Sequence, residues 1–125
     1  MILDTNALSA FAEGDQKLQK VLEPASELYL PSIVLGEYLF GIRQSKYRET
    51  YESWLESSLN LFRSLGVGRR TSGVYAEIRH ALKTAGKPIP ENDIWIAAIA
   101  QEHKMPLVTR DAHFKDVKTI QVLKW

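Results

Sequence analysis

Apolar positions in this chain fall into a few short runs, separated by longer stretches in which they recur every three or four residues. That alternation is the mark of strands interleaved with helices. The densest apolar stretch is Ile94 to Ala100, where nearly every side is apolar, so it reads as a buried helix. Pro88 and Pro90 stop the chain before it and set the backbone for a helix start. Asn92 or the residues just before it serve as its expected cap, and Glu91 and Asp93 place negative charge where the helix dipole favours it.

The rest of the chain follows the same logic. Met1–Leu3 reads as a short first strand, and Thr5 or Asn6 is the expected cap of a helical turn over Ala7–Ala12 that Gly14 ends. Asp15–Leu22 reads as a short amphipathic helix and Glu27–Leu30 as a second strand. Pro31-Ser32 opens a largely buried helix through Ile42. Between Lys46 and Leu65 the apolar residues Tyr47, Tyr51, Trp54, Leu55, Leu59, Phe62 and Leu65 keep steps of three and four, which predicts one long helix. Val67 marks a possible third strand. Thr71-Ser72 is the expected cap of a helix to Thr84, with Gly86 as its stop. Leu107-Val108-Thr109 is a further strand, Ala112–Asp116 a short turn anchored by Phe114, and Ile120–Leu123 a last strand. The expectation is an α/β domain spanning residues 1–125, with a mostly parallel sheet of about four to five strands and helices on both faces.

The composition is that of an ordinary globular protein, 45% hydrophobic and 25% charged. There is no Cys, which excludes disulfides, thiolate metal sites and thiol nucleophiles. No apolar run reaches the roughly 18–20 residues of a membrane span, and no signal-peptide pattern precedes Asp4, so the expected location is cytoplasmic.

Four acids change the picture. Asp4 and Asp111 each follow a strand directly, and Glu37 and Asp93 lie near helix starts, so all four belong to the carboxyl edge of the sheet, where open parallel sheets bind ligands. Taken singly, each has an ordinary reading as a cap, a turn residue or an exposed acid. Together they repel one another and call for cations. Carboxylate oxygens without Cys or a suitably spaced His pair favour Mg²⁺ or Mn²⁺, ions that bind phosphate oxygens and activate water against a phosphodiester. Asn6 and Thr109 are placed to steady such a site. Of 15 acidic residues, setting these four aside leaves 11 against 16 basic ones, a balance of +5 that suits a phosphate-bearing partner. Arg79, Lys83 and Lys87, at four-residue spacing, are a candidate RNA-facing patch or else a solvated helix face, and Arg110, beside the last acid, is a further candidate RNA contact.

The residues also carry a family resemblance. M-I-L-D-T-N at 1–6, P-S-I-V-L-G-E-Y-L-F-G-I at 31–42, P-E-N-D-I-W-I-A-A at 90–98 and T-R-D-A-H-F at 109–114, in that order, resemble the PIN-domain ribonucleases, specifically the VapC toxins of toxin–antitoxin pairs. The resemblance implies a Mg²⁺-dependent endoribonuclease, with Mn²⁺ able to substitute. Asp4, Glu37, Asp93 and Asp111 would be its catalytic acids. Asp4 and Asp93 would ligate the metal directly, Glu37 and Asp111 directly or through water, and Asn6 and Thr109 would be the polar companions. It further implies RNA as substrate, a homodimer, and a cognate antitoxin whose tail enters the active-site groove. Two other readings stand beside it: a PIN-type nuclease of routine RNA processing or of DNA, and a non-catalytic RNA- or protein-binding module. Four acids in a phosphate groove count against the last. A hydrolase with an Asp nucleophile after the first strand would place a second Asp where this chain has Asn6.

Overall fold

The computed structural model describes residues 1–125 and places the first strand at the middle of the sheet. In chain order the elements are β1 (Ile2–Leu3), α1 (Thr5–Ala12), α2 (Gln16–Leu22), β2 (Leu28–Pro31), α3 (Ser32–Arg43), α4 (Arg48–Ser58), β3 (Phe62–Leu65), α5 (Arg69–Thr84), α6 (Glu91–His103), β4 (Leu107–Val108) and β5 (Val122–Leu123). Short 3₁₀ turns cover Leu59–Leu61 and Ala112–Asp116. The strands run in the order β3-β2-β1-β4-β5 and every pair is parallel.

Two residues per strand suffice at the centre because successive side chains point to opposite faces. Ile2 and Leu107 join a larger core with Val34, Tyr38, Ile96 and Ile99, whereas Leu3 and Val108 join a smaller one with Ala7, Ala10, Leu18 and Leu22. Helices therefore cover both faces, as expected of a parallel sheet. The chain leaves β1 for β2 on one side and returns to β4 on the other. The carboxyl ends of β1 and β4 thus form the point where strand order reverses, the usual place for a ligand in such sheets.

One predicted element is wrong. The helix read over Lys46–Leu65 ends at Ser58, and its last four residues form β3, paired in register with all four residues of β2. Ser57, Ser58 and Asn60 are weak helix formers, and the Ser57 hydroxyl donates back to the Trp54 carbonyl at 2.9 Å. Beyond them, the edge of β2 offers a full ladder of backbone hydrogen bonds. Three- and four-residue spacing could not tell the two outcomes apart. Val67, read as a possible strand, is an exposed loop residue.

The capping expectations are also corrected. The cap of α1 is Asp4, whose Oδ1 accepts from the Thr5 amide at 2.7 Å. The α5 helix begins at Arg69, with the Gly68 amide donating to Thr71 Oγ1 at 3.0 Å. The α6 helix starts after Pro90 with no side-chain cap, which leaves the Asn92 amide free for another partner. No helix is long and apolar enough to cross a membrane.

Candidate active site

Asp4 ends β1, Thr109 to Asp111 follow β4, Glu37 sits in the second turn of α3, and Asp93 in the first turn of α6. The fold brings these elements to one edge, and the side chains meet through their polar neighbours. Asp4 is 4% exposed, and Thr109, which is fully buried, donates from Oγ1 to Asp4 Oδ2 at 2.7 Å. Asn6 Nδ2 donates to the same carboxylate at 3.3 Å, and Asn6 Oδ1 accepts from the Arg110 amide at 3.1 Å. Thr109 Oγ1 also accepts from the Asp111 amide at 3.0 Å. The two predicted companions, Asn6 and Thr109, therefore tie the β1 exit to the β4 exit.

Glu37 reaches the same edge from α3. Thr5 Oγ1 donates to its Oε1 at 2.8 Å and Asn92 Nδ2 to its Oε2 at 3.4 Å. Thr5 and Asn92, read from sequence as caps, instead hold an acid. With Ile33, Gly36 and Phe40 they line an open groove leading up to the acids.

Burial and mutual repulsion act on the carboxylates. Burial pushes Asp4 up to about 6, the charges of Asp93 and Glu37 add to that, and the hydrogen bonds from Thr109 and Thr5 oppose it. Asp93 is 8% exposed and is likewise raised, first by burial and then by Asp111 and Glu37, against a hydrogen bond from His113.

His113 is the residue that sequence reasoning missed. Its Nδ1 lies 2.8 Å from Asp93 Oδ2 and 3.1 Å from Asp111 Oδ1, and the acids raise its pKa, the Asp93 hydrogen bond first. Ligand atoms of Asp93, Asp111 and His113 all lie within 4.8 Å of one another, a group able to hold a metal ion. Two carboxylates and one imidazole, with no thiolate, are donors that a divalent cation accepts. Asp4 and Glu37 stand outside this tight group but within its field. The signal that could have found His113 is its place in T-R-D-A-H-F. Asp111 caps a 3₁₀ turn by accepting from the His113 amide at 2.9 Å, which puts the residue two positions on beside the cap.

The basic residues are dispersed. Arg79 pairs with Glu91 at 3.3 Å and lines one cleft with Lys83, whereas Lys87 pairs with Asp116 at 3.5 Å and lines another with Ile78, Ala81 and Val117. Arg110 lies over the Trp125 ring, 4.2 Å from its centroid, and pairs with Asp15 at 3.3 Å.

Comparison with known proteins places this geometry in context. The PIN domain family profile matches residues 1–120. Ribonuclease VapC2 of Rickettsia felis is 27% identical over 129 residues, spanning 99% of this chain and 96% of that protein. Toxin FitB of Neisseria gonorrhoeae is 31% identical over 121 residues, spanning 89% of this chain and 87% of its own length. Among solved structures, VapBC2 from Rickettsia felis bound to a DNA fragment from its promoter superposes with a TM-score of 0.89, at 26% identity over 99% of this chain and 97% of the other. FitAcB from Neisseria gonorrhoeae superposes with a TM-score of 0.86, at 30% identity over 98% and 95%.

Proposed function

This chain belongs to the PIN domain family and is similar to the VapC-type toxins within it, and on that premise we propose that it is a metal-dependent endoribonuclease, the toxin of a toxin–antitoxin pair. In this reading one PIN domain spans the chain, RNA is the substrate, Mg²⁺ is the cofactor with Mn²⁺ able to replace it, and the protein acts in the cytoplasm. The observation that carries it is the convergence of Asp4, Glu37, Asp93 and Asp111 on the strand-reversal point, with Asp4 raised by burial and by the charges of Asp93 and Glu37, and Asp93 raised by burial and by the charges of Asp111 and Glu37. A set of acids under that strain is made for a cation.

Asp4 and Asp93 would hold the ion directly, with Glu37 and Asp111 binding it directly or through water. A bound divalent cation supplies charge to offset the phosphate and to polarise the attacking water. The protein's own part is to keep the acids aimed. Thr109 and Asn6 fix Asp4, Thr5 and Asn92 fix Glu37, and the Asp111 cap fixes its own turn. The buried floor under Asp4 and Asp93 keeps their charges poorly screened and so strengthens their hold on a cation.

Relatives crystallised as VapBC2 and FitAcB supply the partner in this proposal: a cognate antitoxin whose segment would occupy the groove of Thr5, Ile33, Gly36, Glu37, Phe40 and Asn92. Exposed Leu39, Phe40, Leu59 and Leu61 provide apolar surface for a homodimer or a larger assembly with the antitoxin. Of the four candidate RNA contacts, Arg79, Lys87 and Arg110 each have a salt-bridge partner, which leaves Lys83 the freest of them to meet RNA phosphate. The test is incubation of the purified, partner-free protein with structured RNA. Cleavage with Mg²⁺ or Mn²⁺ that stops on EDTA and resumes on metal excess supports the reading. Equal cleavage in EDTA, or none with either metal, contradicts it.

A further inference from the structure

We propose that His113 is itself a metal ligand, completing a set with Asp93 and Asp111, and that its imidazole tilts the site toward Mn²⁺ over Mg²⁺. The inference rests on the metal-site reading above and adds to it a donor of a different kind.

The spacing of the donor atoms is that of neighbouring ligands. Neighbouring ligands of an octahedral ion with bonds of about 2.1 Å stand roughly 3 Å apart. His113 Nδ1 is 2.8 Å from Asp93 Oδ2 and 3.1 Å from Asp111 Oδ1, so the nitrogen already holds the position of a ligand adjacent to both carboxylates. This position is also built into the backbone. Asp111 caps the 3₁₀ turn through the His113 amide, and the next residue, Phe114, is fully buried in the larger core. The turn is pinned at both ends, and the ring between them faces the acids.

Chemistry then sets the preference. Mg²⁺ favours oxygen and holds its waters, whereas imidazole suits the first-row transition metals, of which Mn²⁺ also accepts carboxylate and water. A site of carboxylates alone accepts both ions. Adding one nitrogen favours Mn²⁺. The rival account of the same distances is that His113 is only a counterion to Asp93 and Asp111, which an incoming cation must displace.

These accounts predict opposite results for metal binding without RNA. Mn²⁺ affinity is measured by calorimetry, and Mg²⁺ affinity by competition, on the parent, His113→Ala and Asp93→Asn at mildly alkaline pH. A ligand predicts that His113→Ala weakens Mn²⁺ by about tenfold or more while Mg²⁺ changes much less, so the Mn²⁺ preference falls. Electron spin echo modulation from a directly bound nitrogen should be present in the parent with Mn²⁺ and lost in His113→Ala. Unchanged or tighter binding of both ions in His113→Ala, with no nitrogen modulation in the parent, overturns the proposal in favour of the counterion. If the parent binds neither ion, the metal site itself falls, and that failure is distinct. Melting of the apo proteins confirms that each variant is folded.

Discussion

Thr109 Oγ1 donates to Asp4 Oδ2 at 2.7 Å across 105 positions of sequence, and the same oxygen accepts from the Asp111 amide at 3.0 Å. One buried hydroxyl therefore holds the carboxylate at the end of β1 and the backbone of the acid after β4. Thr109→Val keeps the shape but removes the short hydrogen bond to a buried carboxylate and leaves the Asp111 amide without its partner, which costs about 1–3 kcal/mol. Thr109→Ser restores both bonds. Thermal melting and RNA cleavage should place Ser near the parent and Val well below it on both measures. Equal behaviour of Val and Ser would mean that the hydroxyl holds nothing.

Asp4 links the site to the stability of the fold. Its pKa is raised from 3.8 to about 6, so the folded protein takes up its proton before the unfolded chain does. The resulting stabilisation is fully present below 3.8 and is lost as pH rises through about 6, a change of up to ~3 kcal/mol. Metal-free parent should thus gain stability relative to Asp4→Asn as pH falls from 7 to 4, and Asp4→Asn should be the equal of the parent or better at neutral pH. Melting curves in EDTA across that range check it. A difference between the two proteins that does not vary with pH contradicts the raised value.

Asp93 carries a similar signature, modified by His113. Both pKa values are raised, Asp93 chiefly by burial and His113 chiefly by its hydrogen bond to Asp93. For each, the associated stability is present at low pH and lost as pH rises through the folded value. In EDTA, Asp93→Asn should match or exceed the parent at mildly alkaline pH, where repulsion from Asp111 and Glu37 is relieved. It should fall behind as the pH drops below His113's raised value. It should also lose most of the stabilisation that Mg²⁺ gives the parent. A variant less stable than the parent by the same margin at every pH would point to a cation other than His113.

What could be read from the sequence, and what could not, divides along physical lines. The helix after Pro90 was legible because two prolines and an unbroken apolar run admit little else. Asp4, Glu37, Asp93 and Asp111 were legible as one group because each stands at a strand exit or helix start, and parallel topology sends all such positions to one edge. Strand β3 was not, since Phe62 and Leu65 satisfy a helical spacing and only the unpaired edge of β2 decides the matter. Caps misled for a related reason: Thr5, Asn6 and Asn92 are good caps locally, yet the distant Glu37 recruits Thr5 and Asn92, and Asn6 joins Asp4 to the Arg110 amide. His113 was hidden because a side chain two positions past an acid meets it only if the turn is 3₁₀.

Arg110, a candidate RNA contact from its place in the sequence, has its guanidinium against Asp15 and the Trp125 ring and its amide against Asn6. This placement predicts a holding role for the Thr109–Asp111 segment. Arg110→Ala and Trp125→Ala should each lower kcat several-fold with little change in KM or in salt dependence, and Trp125→Phe, which keeps the stack, should recover most of the loss. Lys83→Gln should instead raise KM and flatten the salt dependence, because a lost phosphate contact no longer releases counterions. A flattened salt dependence in Arg110→Ala but not in Trp125→Ala would return Arg110 to the RNA.

The central claim is that four acids from four separate elements act as one metal-dependent centre. Single-turnover cleavage of one structured RNA, with the parent and with Asp4→Asn, Glu37→Gln, Asp93→Asn and Asp111→Asn side by side in Mn²⁺ and in EDTA, tests it most directly. The account predicts that each variant stays folded and loses activity by about a hundredfold or more in Mn²⁺, with Asp93→Asn and Asp111→Asn also losing metal affinity, and that the parent in EDTA is as inactive as the variants. Parent cleavage that persists in EDTA, or folded variants that cut RNA at the parent's rate, would contradict it.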